Sequence, residues 1–169
     1  TIATVHRLLR APDGTVRLLV QGIERFRLGE FVEEEPYLKA HVHLAPETIE
    51  EGLEIDALAR NARDQFQQIT QMIPSFPEEL AGSITSIEEP LQTAYTIANF
   101  QRMDLKDSQQ LLELDSVSEK LKKLIGLLVR EAEVLQLGQK IQNEARGEIE
   151  KVQREYFLRE QMKAIQREL

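Results

Sequence analysis

Residues 117–169 read VSEKLKKLIGLLVREAEVLQLGQKIQNEARGEIEKVQREYFLREQMKAIQREL and contain no proline. Val117, Leu121, Leu124, Leu128, Ala132 and Leu135, then Ile141, Ala145, Ile149, Val152 and Tyr156, recur at helical spacing. Asp115 or Ser116 can cap the start, with Glu119 three residues after Ser116 in capping-box order. A continuous helix of roughly 50 residues is about 75 Å long, more than the diameter of a small domain. Its far half must project, pair with another helix or lie on a partner. Gly126, Gly138 and Gly147 each weaken it by about 1 kcal/mol relative to Ala and mark expected bends.

Upstream, residues 46–115 read as a compact helical subdomain. Pro46 and Thr48 start a helix, with Thr48-Ile49-Glu50-Glu51 in capping-box order. Leu53, Ala57, Leu58, Ala62, Phe66, Ile69 and Ile73 form its expected apolar stripe, and Pro74 stops it. Ser75 to Leu80 reads as a short capped turn. Glu88-Glu89-Pro90 opens a helix carrying Leu91, Ala94, Ile97, Ala98 and Phe100. Leu105, Leu111, Leu112 and Leu114 make another, with Asp107 or Ser108 as its expected cap.

Residues 1–45 read as β structure. Ile2, Val5, Leu8 and Leu9 lead to Ala11-Pro12-Asp13-Gly14, then to Val16, Leu18, Leu19 and Val20. Asp-Gly between two apolar runs is a hairpin signal, because Gly takes the positive φ that such a turn needs. Ile23, Phe26, Leu28 and Phe31 suit a third strand. Leu38, Ala40, Val42 and Leu44 alternate with Lys39, His41 and His43 in a fourth, half-buried one. The expected fold is α+β: a β subdomain forming part of a sheet or small barrel (1–45), a helical subdomain (46–115) and a long projecting helix (116–169). The chain is expected to be a fragment, since it opens at Thr1 in a β-like run, which leaves the first subdomain truncated, and closes at Leu169 within a helical pattern.

Composition narrows the function. Hydrophobic residues make up 41% and charged residues 30%, as in soluble globular proteins. No stretch approaches the roughly 18 apolar residues of a membrane span. Cysteine is absent, which removes disulfides and thiolate zinc sites and fits a cytoplasmic location. The net charge of −8 is uneven. Residues 1–45 carry six acids and six bases, 46–116 fourteen acids and four bases, and 117–169 nine acids and eleven bases. The acidic middle repels phosphate, so nucleic acid is a poor partner.

Arg154-Glu155-Tyr156-Phe157-Leu158-Arg159-Glu160-Gln161-Met162-Lys163-Ala164-Ile165-Gln166-Arg167-Glu168-Leu169 resembles the segment that joins the amino-terminal region of bacterial-type Lon ATP-dependent (AAA+) serine proteases to their ATPase module. The stretches from Leu8 to Val16 and from Val20 to Arg25 resemble the family's β subdomain, which makes that part PUA-like by resemblance. Ser86 to Pro90 and Lys106 to Glu113 match its helical part in order. The resemblance implies a hexameric ring that unfolds proteins with ATP and Mg and cleaves them with a Ser–Lys dyad. It implies for this chain a non-catalytic role: recognising misfolded, damaged or tagged proteins and supporting assembly. No phosphate loop of the form Gly-x-x-x-x-Gly-Lys-Ser/Thr occurs here and no position corresponds to the dyad, so no catalytic, cofactor or metal residue is assigned.

Among individual residues, His41 and His43 share a strand face, but zinc needs three or four ligands, so a solvated face is the better reading. His6 reads the same way. Glu33, Glu34 and Glu35 form a charge run before a turn. Leu18, Val20, Phe26, Leu28 and Leu38 are expected mostly in the core. Leu8, Phe31, Tyr37 and Leu38 are candidate substrate contacts, because an exposed apolar patch is what a selector of unfolded chains needs. Ile149, Tyr156, Phe157 and Met162 on the far helix are the second set, for neighbouring subunits or for substrate. Lys140, Arg146, Lys151, Arg154, Arg159 and Lys163 suit a solvated or salt-bridged face. Two rival readings remain: a purely structural spacer of the ring, and a module that tethers nucleic acid.

Overall fold

Asp13 and Gly14 turn the chain back on itself as their sequence requires. Gly14 takes φ 82° and donates its N–H to the Ala11 carbonyl at 3.0 Å, while Asp13 Oδ1 accepts the Thr15 N–H at 2.9 Å. The turn joins β1 (Ile2–Arg10) to β2 (Val16–Glu24), and β3 (Phe26–Glu33) then pairs with β4 (Lys39–Leu44). In this computed structural model, which describes residues 1–101 and 103–168, the four strands form two separate two-stranded antiparallel sheets. The expected single partial sheet or barrel is thus divided in two. The α+β class and the long helix are as the sequence indicates; the expected helical end at Leu169 lies outside the described residues.

The helices build the core. α1 (Leu53–Met72), α2 (Glu78–Thr85), α3 (Pro90–Phe100) and α4 (Leu105–Glu113) pack with the first turns of α5 (Val117–Glu168). From α1 the buried apolar side chains are Ile55, Ala59, Ala62, Phe66 and Ile69, a stripe at alternating steps of four and three. The expected stripe is corrected at its start: Leu53 and Ala57 face water, because Leu53 lies about 200° around the helix from Ile55. Val117, Leu121, Leu124, Leu128 and Ala132 of α5 meet this stripe. Phe66 and Phe76 meet edge to face at 5.8 Å, and Phe76 continues to Phe100 at 6.4 Å.

Helix starts depart from the local reading. α1 begins at Leu53 after Gly52, with no side-chain cap, so the Thr48 box does not cap it. Thr48 instead bridges to Ser116 beside the start of α5. α4 is capped by Asp104, which accepts the Asp107 N–H at 2.7 Å, rather than by Asp107 or Ser108. Glu89 caps α3 as Pro90 at the first helical position suggests.

At α5 the N–H groups that a helix start leaves unpaired all find partners. Val117 donates to the Thr48 carbonyl at 3.1 Å, Ser118 to Glu50 Oε2 at 3.2 Å, Glu119 to Ser116 Oγ at 3.1 Å and Lys120 to the Ser116 carbonyl at 3.1 Å. Helix α5 then runs through Gly126, Gly138 and Gly147 without a break for 52 residues, about 78 Å. Every residue from 136 to 168 is exposed.

Candidate functional site

Two β-bulges decide what the sheets present. Val5 pairs with Val20 and Leu8 with Leu18, although a step of three along a regular strand would place Val5 and Leu8 on opposite faces. The register shift between Val5 and Arg7 leaves His6 as the extra residue and restores the phase. Val5, Leu8, Val16, Leu18 and Val20 therefore share one face of the first sheet. His6 turns to the other side, where its Nε2 lies 2.7 Å from Gln21 Oε1.

The second sheet repeats the device. Leu28 pairs with Val42 and Phe31 with Ala40, with an extra residue between Leu28 and Phe31. Gly29 sits in that bulge, and a Cβ there would come within 3.0 Å of the His41 carbonyl oxygen. Phe26, Leu28, Phe31, Ala40, Val42 and Leu44 line one face. The other carries Arg27, His43, His41 and the Lys39–Glu33 ion pair. Histidines 41 and 43 thus belong to a polar, solvated face, and among the described residues no group of three metal-ligating side chains gathers.

Both apolar faces stand in water. The expectation that Leu18, Val20, Phe26, Leu28 and Leu38 are core is corrected: Phe26 is half-buried and the other four are exposed. The reason is that, among the described residues, neither a helix nor the other sheet packs over these faces. The eight candidate contacts Leu8, Phe31, Tyr37, Leu38, Ile149, Tyr156, Phe157 and Met162 all lie between 55% and 69% exposed. Phe31 lies on β3 opposite Ala40, and Tyr37 and Leu38 immediately precede β4, where the Lys39 ammonium lies 5.0 Å from the Tyr37 ring centre. Leu8 lies on the other sheet.

On α5 Ile149 and Tyr156 fall on one side and Met162 on another, with Phe157 between them, about 100° around the helix from Tyr156. Val134, Ala145 and Tyr156 recur at steps of 11 residues, as do Ile141 and Val152, so this stripe runs nearly parallel to the helix axis. Ile149 lies beside it. Leu158, Met162 and Ile165, spaced by four and three, form a second stripe about 200° away from Tyr156. Basic and acidic residues are interspersed along this half, with Lys163 paired to Glu160 at 2.8 Å. They form no single-sign stripe.

Sequence reasoning missed a buried polar cluster below the sheets. Arg25, between β2 and β3, is 7% exposed and Lys120 is 1% exposed. The Glu47 carboxylate accepts the Tyr95 hydroxyl and lies 3.4 Å from Arg25 Nε and 3.6 Å from Lys120 Nζ. Lys120 Nζ donates to the carbonyls of Leu111 and Leu112 at 2.8 and 3.1 Å, at the electronegative end of α4. Burial pushes the Tyr95 phenol well above its ordinary value, reinforced by Glu47. Burial pushes the Lys120 ammonium down, and Glu47 opposes it. At the rim, the bond from Arg25 holds the Asp115 carboxyl below its usual range, with Arg27 adding to the effect. An open cleft of about 990 Å³ runs between the end of β2 and α3, lined in part by Ile23, Arg25, Glu47, Leu91, Tyr95 and Asn99.

Comparison with known proteins places this arrangement. The family described as "ATP-dependent protease La (LON) substrate-binding domain" matches residues 1–130. Lon protease of Dictyoglomus thermophilum is 47% identical over 169 residues, covering 100% of this chain and 21% of that protein. Lon protease 1 of Herpetosiphon aurantiacus is 44% identical, covering 99% of this chain and 21% of that protein. The chain thus spans about a fifth of the length of these curated relatives. The solved N-terminal domain of Mycobacterium avium complex Lon protease shares the fold, with a TM-score of 0.66 at 24% identity, over 75% of this chain and 67% of that one.

Proposed function

The chain belongs to the family of substrate-binding domains of the ATP-dependent protease La (Lon), and from that premise we propose that its exposed apolar faces capture unfolded segments of client proteins. The supporting observation is the continuous apolar row that each bulged sheet holds in water. Apolar side chains exposed on a client are what distinguish a damaged protein from a folded one. A row of Val, Leu and Phe rewards their burial by about 25 cal/mol per Å² without demanding a sequence. Each such contact is weak, and a parent ring carrying several copies would strengthen it through avidity.

The outer half of α5 serves as the second grip and as the path along which a client reaches the ATPase module. ATP, Mg and the Ser–Lys dyad act in other parts of a cytoplasmic, hexameric parent, and this region adds no chemistry of its own. A spacer role alone is the second reading, favoured by the length of exposed helix beyond residue 135. Tethering of nucleic acid is disfavoured, because residues 136–168 interleave seven bases with six acids.

Calorimetric titration of the chain with one protein in two forms tests the reading. The native form and a permanently unfolded, reduced and alkylated form are compared. Capture predicts binding of the unfolded form only, with a negative heat-capacity change from apolar burial. Equal affinity for both forms, or none, leaves the spacer.

A further inference from the structure

We propose that Arg25 is a positioning residue: its guanidinium fixes the direction in which the two sheets face relative to the long helix α5. Arg25 occupies the single position between β2 and β3. Its Nε donates to the Ala45 carbonyl at 2.7 Å, where the chain leaves β4. Its Nη1 donates to the carbonyls of Leu112 and Leu114, both at 2.9 Å, at the end of α4. Its Nη2 donates to Asp115 Oδ1 at 2.7 Å, two residues before α5. Its own carbonyl accepts the Ala45 N–H at 3.0 Å. One side chain therefore bonds the exit of the sheets, the end of α4 and the residue that leads into α5.

Little else stands between the sheets and the helices. Strands β1 and β2 are exposed along their whole length, and β3 and β4 are half-buried only at Phe26, Gly29 and Ala40. The apolar core is made of helical residues together with Val117 and its successors in α5, and no strand residue belongs to it. No hydrophobic layer thus sets the angle between the two parts. Arg27 adds a two-pronged bond to Asp115, at 2.9 and 2.7 Å, but both side chains are exposed and water weakens the pair. Segment 45–50 completes the joint. The Thr48 N–H donates to the Asp115 carbonyl at 2.8 Å, and Glu50 caps α5 through Ser116 and Ser118.

A planar fork with five fixed donors can serve Ala45, Leu112, Leu114 and Asp115 together, whereas an ammonium with three cannot hold the same set in one orientation. The consequence rests on the proposed function only in this respect: a client held on the sheets would be presented to α5 at a set angle. The angle itself is measured without a client, so failure of this inference and failure of the capture reading are separate outcomes.

The chain has no cysteine, so spin labels at introduced cysteines replacing Thr15, in the β1–β2 turn, and Gln142, on α5, report one distance without background. Pulsed electron–electron resonance on the otherwise unchanged chain gives a single narrow peak. Arg25→Met loses that peak for a broad distribution, while circular dichroism keeps the helical signal. Arg25→Lys retains the charge that faces Glu47, so it keeps the fold even if Arg25→Met loses it, and it too gives the broad distribution. A parent-like narrow peak in either folded variant overturns the proposal.

Discussion

Leu124 has no exposed surface and sits where α5 meets the α1 stripe. Leu124→Ala leaves a cavity there, and urea unfolding should show a loss of about 2–5 kcal/mol. Tyr95 gives a pH signature. Its phenol is held above its ordinary value in the fold, whereas in the unfolded chain it ionises near pH 10. Its stabilising contribution is complete below about pH 10 and is lost as pH rises beyond. Lys120 acts in the opposite sense, since its lowered value makes alkali relieve a cost of folding. The difference between parent and Tyr95→Phe isolates the tyrosine: thermal unfolding from pH 9 to 11 should show a steeper fall for the parent. At the acid end Asp115 and Glu50 are both held low, by Arg25 and by the Ser116 hydroxyl, so their contributions are present above about pH 4 and vanish as pH falls. None of this was legible in the sequence. Arg25 reaches partners 87 to 90 residues away, two of which are backbone carbonyls that carry no side-chain signal.

At the scale of elements, the sequence speaks where the cause is local. Asp13-Gly14 announced its turn because the turn needs a positive φ, and α5 announced itself through unbroken periodicity without proline. The bulges were hidden because a step of three, from Val5 to Leu8 or from Leu28 to Phe31, breaks period two and reads equally well as a helical spacing. Gly29 was the only local hint. Deleting His6 should remove the first bulge and leave Val5 on the same face, two residues before Leu8 and still opposite Val20. A Val5→Cys, Val20→Cys pair then tests it: the cross-strand disulfide forms both with His6 and without it, because paired residues keep their Cβ atoms within about 5.5 Å, and failure in the deletion alone contradicts a bulge at His6. The glycines of α5 do not interrupt it. Gly126 is exposed, and a Cβ there meets nothing within 4 Å, so Gly126→Ala should raise stability to urea by about 1 kcal/mol.

Across the whole molecule, one core of helices carries two parts that leave apolar side chains in water: the paired sheets and the outer half of α5. The sequence located these side chains but placed several of the sheet residues inside, because alternation alone does not say whether a second layer exists. The most direct test of the capture reading replaces Leu8 and Phe31, one from each apolar face, with serine. Each stands exposed at 55%, so the fold does not depend on them. A fluorescent, permanently unfolded protein is titrated with the parent and with this double variant, and anisotropy is read. Burial of one such side chain is worth about 1.5–3 kcal/mol, so even partial burial in a complex predicts at least about a tenfold loss of affinity with no change in thermal stability. Unchanged affinity in the double variant would contradict the account.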